Sequence, residues 1–179
     1  MIIPSFAVGR AQEVMARIND LVETGRLSGI PVFVDSPMAT AATRVFALHP
    51  EVYSDEAQRL LRTGDKPLEF PGLRLVTAVQ ESMEINRLKG PAIIISASGM
   101  ATGGRILHHL KLRLPDEKNT VLFTGYQAVG TKGRRLIEGE EEVGSEGLED
   151  LIGREPERLA CDVAVVSDSS QFGPGQPAV

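Results

Sequence analysis

Pro91-Ala92-Ile93-Ile94-Ile95-Ser96-Ala97-Ser98-Gly99-Met100-Ala101-Thr102-Gly103-Gly104-Arg105-Ile106 is the stretch whose reading decides the fold. Its first part, Pro91 to Ser96, is an apolar run around Ile93-Ile94-Ile95, the pattern of a strand buried on both faces. The residues from Gly103 to Leu114 predict a helix. A buried strand feeding a helix through a glycine-rich turn is half of a crossover unit. The same alternation runs outward in both directions. Residues 11–24 place Val14, Ile18, Leu21 and Val22 on one helical face, with Gly25 as a stop. Pro31 to Asp35 is a compact apolar run, and Ser36-Pro37 is an N-cap and first-turn signal for a helix carrying Val45, Phe46 and Leu48. Ser54-Asp55-Glu56 opens a short helix ending near Gly64, its acidic first turn favoured by the helix dipole. Leu73 to Thr77 and Asn119 to Thr124 read as strands, and 79–88 as a helix. Strands alternating with helices of about ten residues imply an α/β fold with three layers, a mainly parallel sheet and helices on both faces.

Such sheets bind ligands at the carboxyl ends of their strands, so the loops after Val34, Ile95 and Phe123 are the places to seek chemistry. The loop 98–105 holds three glycines and two hydroxyl residues and ends on Arg105. Glycines admit an anion close to the backbone, amides at a helix start point towards it, and arginine adds a bidentate donor. The spacing fits neither the Walker pattern nor the dinucleotide fingerprint. A glycine-rich turn required for tight helix–sheet packing explains the loop equally well. His108 and His109 point about 100° apart on the following helix and read as surface or half-buried side chains rather than as ligands of one small ion. On physics alone Arg10 reads as a solvated arginine near the start of the first helix, with a second phosphate contact as the rival reading. Asp35 is open to an acid, metal-ligand, capping or turn role.

Composition narrows the chemistry further. The 179 residues include three histidines (His49, His108, His109) and one cysteine (Cys161). A zinc ribbon, a disulfide scaffold or a histidine-rich metal centre cannot be built from that inventory. The absence of a cysteine framework leans towards a reducing cytoplasm, and no run approaches the roughly 18 apolar residues of a membrane span. Charge is divided unevenly. Residues 1–135 carry a balance of +4 and residues 136–179 a balance of -9. This asymmetry suggests two segments with different partners, or a solvated acidic helix closing a near-neutral domain.

Four blocks in order, Pro4-Ser5-Phe6-Ala7-Val8-Gly9-Arg10-Ala11-Gln12-Glu13, Val34-Asp35-Ser36-Pro37-Met38-Ala39, Ser98-Gly99-Met100-Ala101-Thr102-Gly103-Gly104-Arg105-Ile106 and Gly125-Tyr126-Gln127-Ala128-Val129-Gly130-Thr131, resemble the β-CASP domain of metallo-β-lactamase-fold ribonucleases. The resemblance covers about residues 1–138. It implies processing of single-stranded RNA by a two-zinc site, with the β-CASP domain roofing the cleft. It also implies Arg10, Ser98, Gly99, Gly103, Gly104 and Arg105 as residues facing RNA or its phosphates. The His-x-His-x-Asp-His zinc motif of that family is not in the chain, so no cofactor belongs to the chain alone and a metallo-β-lactamase-fold domain becomes an expected partner.

From about Leu136 the pattern changes. Leu136-Ile137-Glu138-Gly139-Glu140-Glu141-Glu142-Val143-Gly144-Ser145 and Asp162-Val163-Ala164-Val165-Val166-Ser167-Asp168 are similar to di-zinc aminoacylase and carnosinase-type dipeptidases. That similarity implies Glu141 as a general base, with Glu142 and Asp168 as zinc ligands, although the family's histidine ligands have no counterpart. The expected organisation is a β-CASP-like domain over 1–138 and an acidic helix–strand extension over 139–179, possibly docked on the same sheet. In that extension Ser145 caps a helix over 146–159 that Pro156 kinks, 162–167 forms one more buried strand, and 173–177 is a frayed tail. Three functions stay open: a weak single-stranded RNA-binding module without nuclease activity of its own, a zinc-dependent peptidase around Glu141, Glu142 and Asp168, and a recombined α/β chimera with no activity.

Overall fold

A computed structural model of the protein describes residues 1–62, 64, 66–138 and 162–165. Six parallel strands form one sheet in the order β3-β2-β4-β1-β5-β6. The strands are β1 (Ile2–Pro4), β2 (Val32–Asp35), β3 (Leu73–Val76), β4 (Ile93–Ser96), β5 (Thr120–Phe123) and β6 (Asp162–Val165). The helices are α1 (Arg10–Glu23), α2 (Pro37–Leu48), α3 (Asp55–Arg62), α4 (Val79–Ile85), α5 (Ile106–Arg113) and α6 (Lys132–Glu138). The α/β class with an all-parallel sheet is as the sequence implies. Asp162–Val165 lies parallel to β5, with Thr120 opposite Asp162 and Phe123 opposite Val165.

The two faces of the sheet are filled by alternate residues of the strands. Ile3, Val32, Val34, Ile93 and Ile95 pack against Ala11, Val14, Met15 and Ile18 of α1 and Ala39 of α2. Ile2, Val121 and Phe123 meet Ile106 and Leu110 of α5 and Leu136 of α6 on the opposite face, where Phe33, Val76 and Ile94 also meet Ile85 of α4. Fully burying each of the Val, Leu, Ile, Met and Phe side chains among them stabilises the fold by about 1.5–3 kcal/mol.

Several local expectations need correction. β1 did not emerge from the sequence, yet it sits between β4 and β5, with Ile3 opposite Ile95 and Ile2 opposite Val121. α5 begins at Ile106 rather than Gly103, because Gly104 has a positive φ of 81° and residues 103–105 are still in the turn. α2 carries Val45, Phe46 and Leu48 as read, with Val45 and Leu48 exposed, and it buries Ala39, Thr40 and Thr43. The N-cap holds: Ser36 Oγ accepts the amide of Ala39 at 3.2 Å, with Pro37 in the first turn. The predicted helix 146–159 and the tail 173–177 lie outside the described residues.

Candidate nucleic-acid interface

The chain winds away from the centre of the sheet in two directions. From β1 it crosses through α1 on one face to β2, and from β4 it crosses through α5 on the other face to β5. The neighbouring carboxyl ends of β1 and β4 therefore diverge, and a crevice at such a switch point is where open α/β sheets bind ligands. The loops that meet there are 5–9 and 97–105, with 124–131 beside them after β5.

The loop after β4 is folded by its own first hydroxyl. Ser98 Oγ accepts the amides of Thr102 at 3.0 Å and Gly103 at 3.2 Å and shares a hydrogen bond with Thr102 Oγ1 at 3.1 Å. The Ser98 amide donates to the Gly103 carbonyl at 3.0 Å, and the Ala97–Ser98 peptide is cis. Two of the three glycines have a packing reason. A Cβ on Gly99 would lie 2.8 Å from Phe6 Cδ2 and 2.9 Å from the Phe6 nitrogen. At Gly104 it would lie 2.4 Å from the Ala97 carbonyl oxygen, on a backbone already left-handed. Gly103 has no atom within 4 Å of that position. The amides of Gly104 and Arg105 donate to no described residue.

Arg105 turns inward. Its Nη1 donates to Asp35 Oδ1 at 2.7 Å and its Nη2 to the Thr77 carbonyl at 2.7 Å, with 19% of the side chain exposed. Asp35 is fully buried and also accepts Ser82 Oγ at 2.6 Å and His109 Nε2 at 2.6 Å. Since a carboxylate only accepts, His109 Nε2 carries the proton in that bond, while its buried Nδ1 has no partner among the described residues. Burial pushes the Asp35 carboxyl up, but hydrogen bonds from His109, Ser82 and Arg105 outweigh it and hold the group below its ordinary value. His109 is thus not a surface or half-buried histidine: it is 1% exposed. Asp35 is neither a cap nor a turn residue but the acceptor that joins β2, α4 and α5. His108 is exposed, as expected.

Arg10 stands at the start of α1, where its Nη1 donates to Glu13 Oε2 at 2.8 Å and its Nε lies 4.0 Å from the Cβ position of Gly125. The α1 entry is braced by Gln12, whose Oε1 accepts the Gly9 amide at 2.7 Å and whose Nε2 donates to Thr43 Oγ1 at 2.9 Å. Gln127 braces the third loop. Its Nε2 donates to the Gly99 carbonyl at 3.0 Å and the Gly125 carbonyl at 3.1 Å, so the loops after β4 and β5 are bonded together. The six sequence candidates therefore converge on one rim. Ser98, Gly99 and the Arg105 guanidinium build the loop and its support, Arg10 is ion-paired to Glu13 with 24% of its side chain exposed, and Gly103 has open space at its Cβ position. Phe6 and Tyr126, which no sequence pattern singled out as site residues, are exposed on the same rim at 47% and 72%. Two grooves of about 380 and 420 Å³ flank α1 away from the β4 loop and gather none of the candidates but Arg10.

A zinc pair does not fit this rim. Among the described residues no three His, Cys, Asp or Glu side chains come together as a metal site. His49 pairs with Glu51 at the surface, and His109 and Asp35 face each other with Arg105 and Ser82 filling the remaining acceptor positions. Glu141, Glu142 and Asp168 lie outside the described residues. No helix among the described residues is long and apolar enough to cross a membrane.

A profile of the family described as Beta-Casp domain matches residues 11–136. The chain is 40% identical over 140 residues to a ribonuclease of Thermus thermophilus, covering 76% of the chain and 31% of that protein. It is 39% identical over 147 residues to an RNase J-like protein of Methanocaldococcus jannaschii, covering 80% and 32%. It is also 35% identical over 173 residues to the transcription termination factor FttA of Methanosarcina mazei, covering 94% and 26%. The chain spans between about a quarter and a third of the length of these relatives. The last alignment covers too much of the chain to stop at residue 136, so similarity to a single protein runs on into the segment that the sequence reading set apart.

Proposed function

The chain belongs to the Beta-Casp domain family, and from that premise we propose that it is the RNA-backbone-binding module of an RNA-processing metallo-hydrolase. What supports this reading is that Arg10, Gly103 and the undonated amides of Gly104 and Arg105 follow β1 and β4, the strands that flank the switch point. Relatives named ribonuclease, RNase J-like protein and termination factor support RNA as the ligand. Backbone amides and one or two arginines grip phosphate without reading sequence.

Hydrolysis of RNA at a zinc pair activates a water molecule on the metal, and the described residues hold no such ligand set. In this proposal the metal half is a separate, metallo-β-lactamase-fold domain, and the present residues bind and orient the strand over it. The rim suits that task because Gln127 bonds the loops after β4 and β5 together. The zinc-peptidase reading of Glu141, Glu142 and Asp168 gains nothing from the comparisons, and the long alignment to one termination factor favours a continuous chain over a spliced one.

The test is titration of a fluorescent single-stranded RNA at low and at physiological salt. The expected result is weak binding that falls steeply with salt, because each phosphate contact releases a counterion. Arg10→Ala should weaken binding to every sequence alike and flatten the salt dependence by about one counterion. No binding at low salt would refute the proposal.

A further inference from the structure

We propose that Phe6, together with Tyr126, is a stacking platform that takes the bases of the RNA strand whose phosphates the rim grips. The inference rests on the RNA-binding reading above and adds a class of contact to it. Phe6 follows β1 directly and lies in the crevice between β1 and β4. The edge of its ring closes against Gly99, where even a methyl group would be 2.8 Å from Cδ2 and 3.0 Å from Cε2. The ring is thus held from behind by a buried peptide, while 47% of the residue stays open to solvent. A large aromatic residue left open at the centre of a ligand crevice, with its support built by a required glycine, is the arrangement of a stacking surface rather than of a core residue.

Tyr126 adds a second ring. It is 72% exposed, yet its loop is fixed: Gln127 Nε2 donates to the Gly99, Gly125 and Tyr126 carbonyls at 3.0, 3.1 and 3.2 Å. The loop that carries Tyr126 is therefore bonded to the glycine that supports Phe6. Arg10 Nε lies 4.0 Å from the Cβ position of Gly125, the residue before Tyr126, and the undonated Gly104 and Arg105 amides belong to the same loop as Gly99, on which Phe6 rests. Alternation of phosphate donors with aromatic faces is what a single strand needs, since every base has a π-face and every linkage a charge. Such a surface favours base-bearing RNA over a bare backbone without choosing a sequence.

The experiment compares two RNA probes of equal length and charge, oligouridylate and an abasic ribose-phosphate oligomer, each titrated with the 179-residue chain and its variants. The chain should bind oligouridylate more tightly than the abasic probe. Phe6→Ala should weaken oligouridylate binding by on the order of tenfold, leave the abasic probe unchanged, and keep the salt dependence of both. Phe6→Trp, which keeps a π-face, should restore binding, and Tyr126→Ala, a change at an exposed side chain, should reproduce the loss in smaller measure. Equal affinity of the unsubstituted chain for the two probes would overturn the platform and leave the backbone-binding reading standing. So would equal losses on both probes in Phe6→Ala, or binding in Phe6→Ala and Tyr126→Ala that matches the parent. Failure of the chain to bind either probe at low salt would overturn the backbone-binding reading and this inference with it.

Discussion

The rim of the sheet has two halves that are held in opposite ways. On the β2/β4 side, support is ionic and sealed: Asp35 is fully buried, and Arg105, His109 and Ser82 close on it at 2.6–2.7 Å. On the β1/β5 side it is more open and, apart from the Arg10–Glu13 ion pair, neutral. There the bracing comes from amides to carbonyls, from Gln12 and Gln127, and from Phe6 against Gly99, and the side chains outside that bracing reach solvent. The difference separates two duties that a sequence motif runs together. Charge in the first half is consumed in holding loops, whereas the exposed aromatic side chains Phe6 and Tyr126 lie in the second half. An arginine in a glycine-rich loop is therefore not by itself a phosphate ligand; what faces it decides.

The sharpest way to break this division is to remove the buried acceptor. Asp35→Ala leaves Arg105 and His109 without their partner and should cost about 3–5 kcal/mol, read as a drop in the urea midpoint. The same group sets an acid limit. Because the folded carboxyl is held below its ordinary value, its contribution is complete above the ordinary carboxylate range and is lost as pH falls through that range towards the folded value. Stability of the parent should therefore fall more steeply with acid than that of Asp35→Asn, which a pH series of unfolding curves would show. Next in size is Gly104→Ala, where a 2.4 Å approach to the Ala97 carbonyl adds to a positive φ; we expect a loss of about 1–3 kcal/mol by thermal melting. Ser36→Ala removes the α2 cap and should cost about 1 kcal/mol. Smallest is Gly103→Ala, which meets nothing within 4 Å and should change stability by less than about 0.5 kcal/mol. A large destabilisation there would show that the open half is as tightly built as the sealed one.

Much of the fold was legible because its signals are local. The runs at 31–35, 91–96 and 119–124 are long enough to read as strands, and Ser36-Pro37 marks a helix start by its own chemistry. β1 escaped because Ile2-Ile3-Pro4 is three residues long, too short for any period, and its assignment depends on β4 and β5, which lie about a hundred residues away. For the site, the loops were legible from strand ends and glycines, but the direction of Arg105 was not, since its partner is 70 positions distant. One available signal was passed over. His109 is three residues from Ile106 and next to Leu110, so it belongs to the buried face of α5, and a histidine there needs a buried partner. Phe6 carried no signal of its own, because its role depends on the absence of a side chain at Gly99.

The place of β1 in the sheet also sets a timetable. Its neighbours are Ile94–Ser96 on one side and Val121 on the other, so the first residues of these 179 complete the sheet only with strands that are synthesised roughly ninety and one hundred and twenty residues later. Until β5 has emerged, Ile2 and Ile3 are paired on one side alone, and the other edge of β1 stays open to other strands. A nascent chain ending before Thr120 should therefore be prone to aggregate even though it already contains β1 to β4, and the switch-point crevice itself comes into being only when β1 meets β4 across some ninety intervening residues.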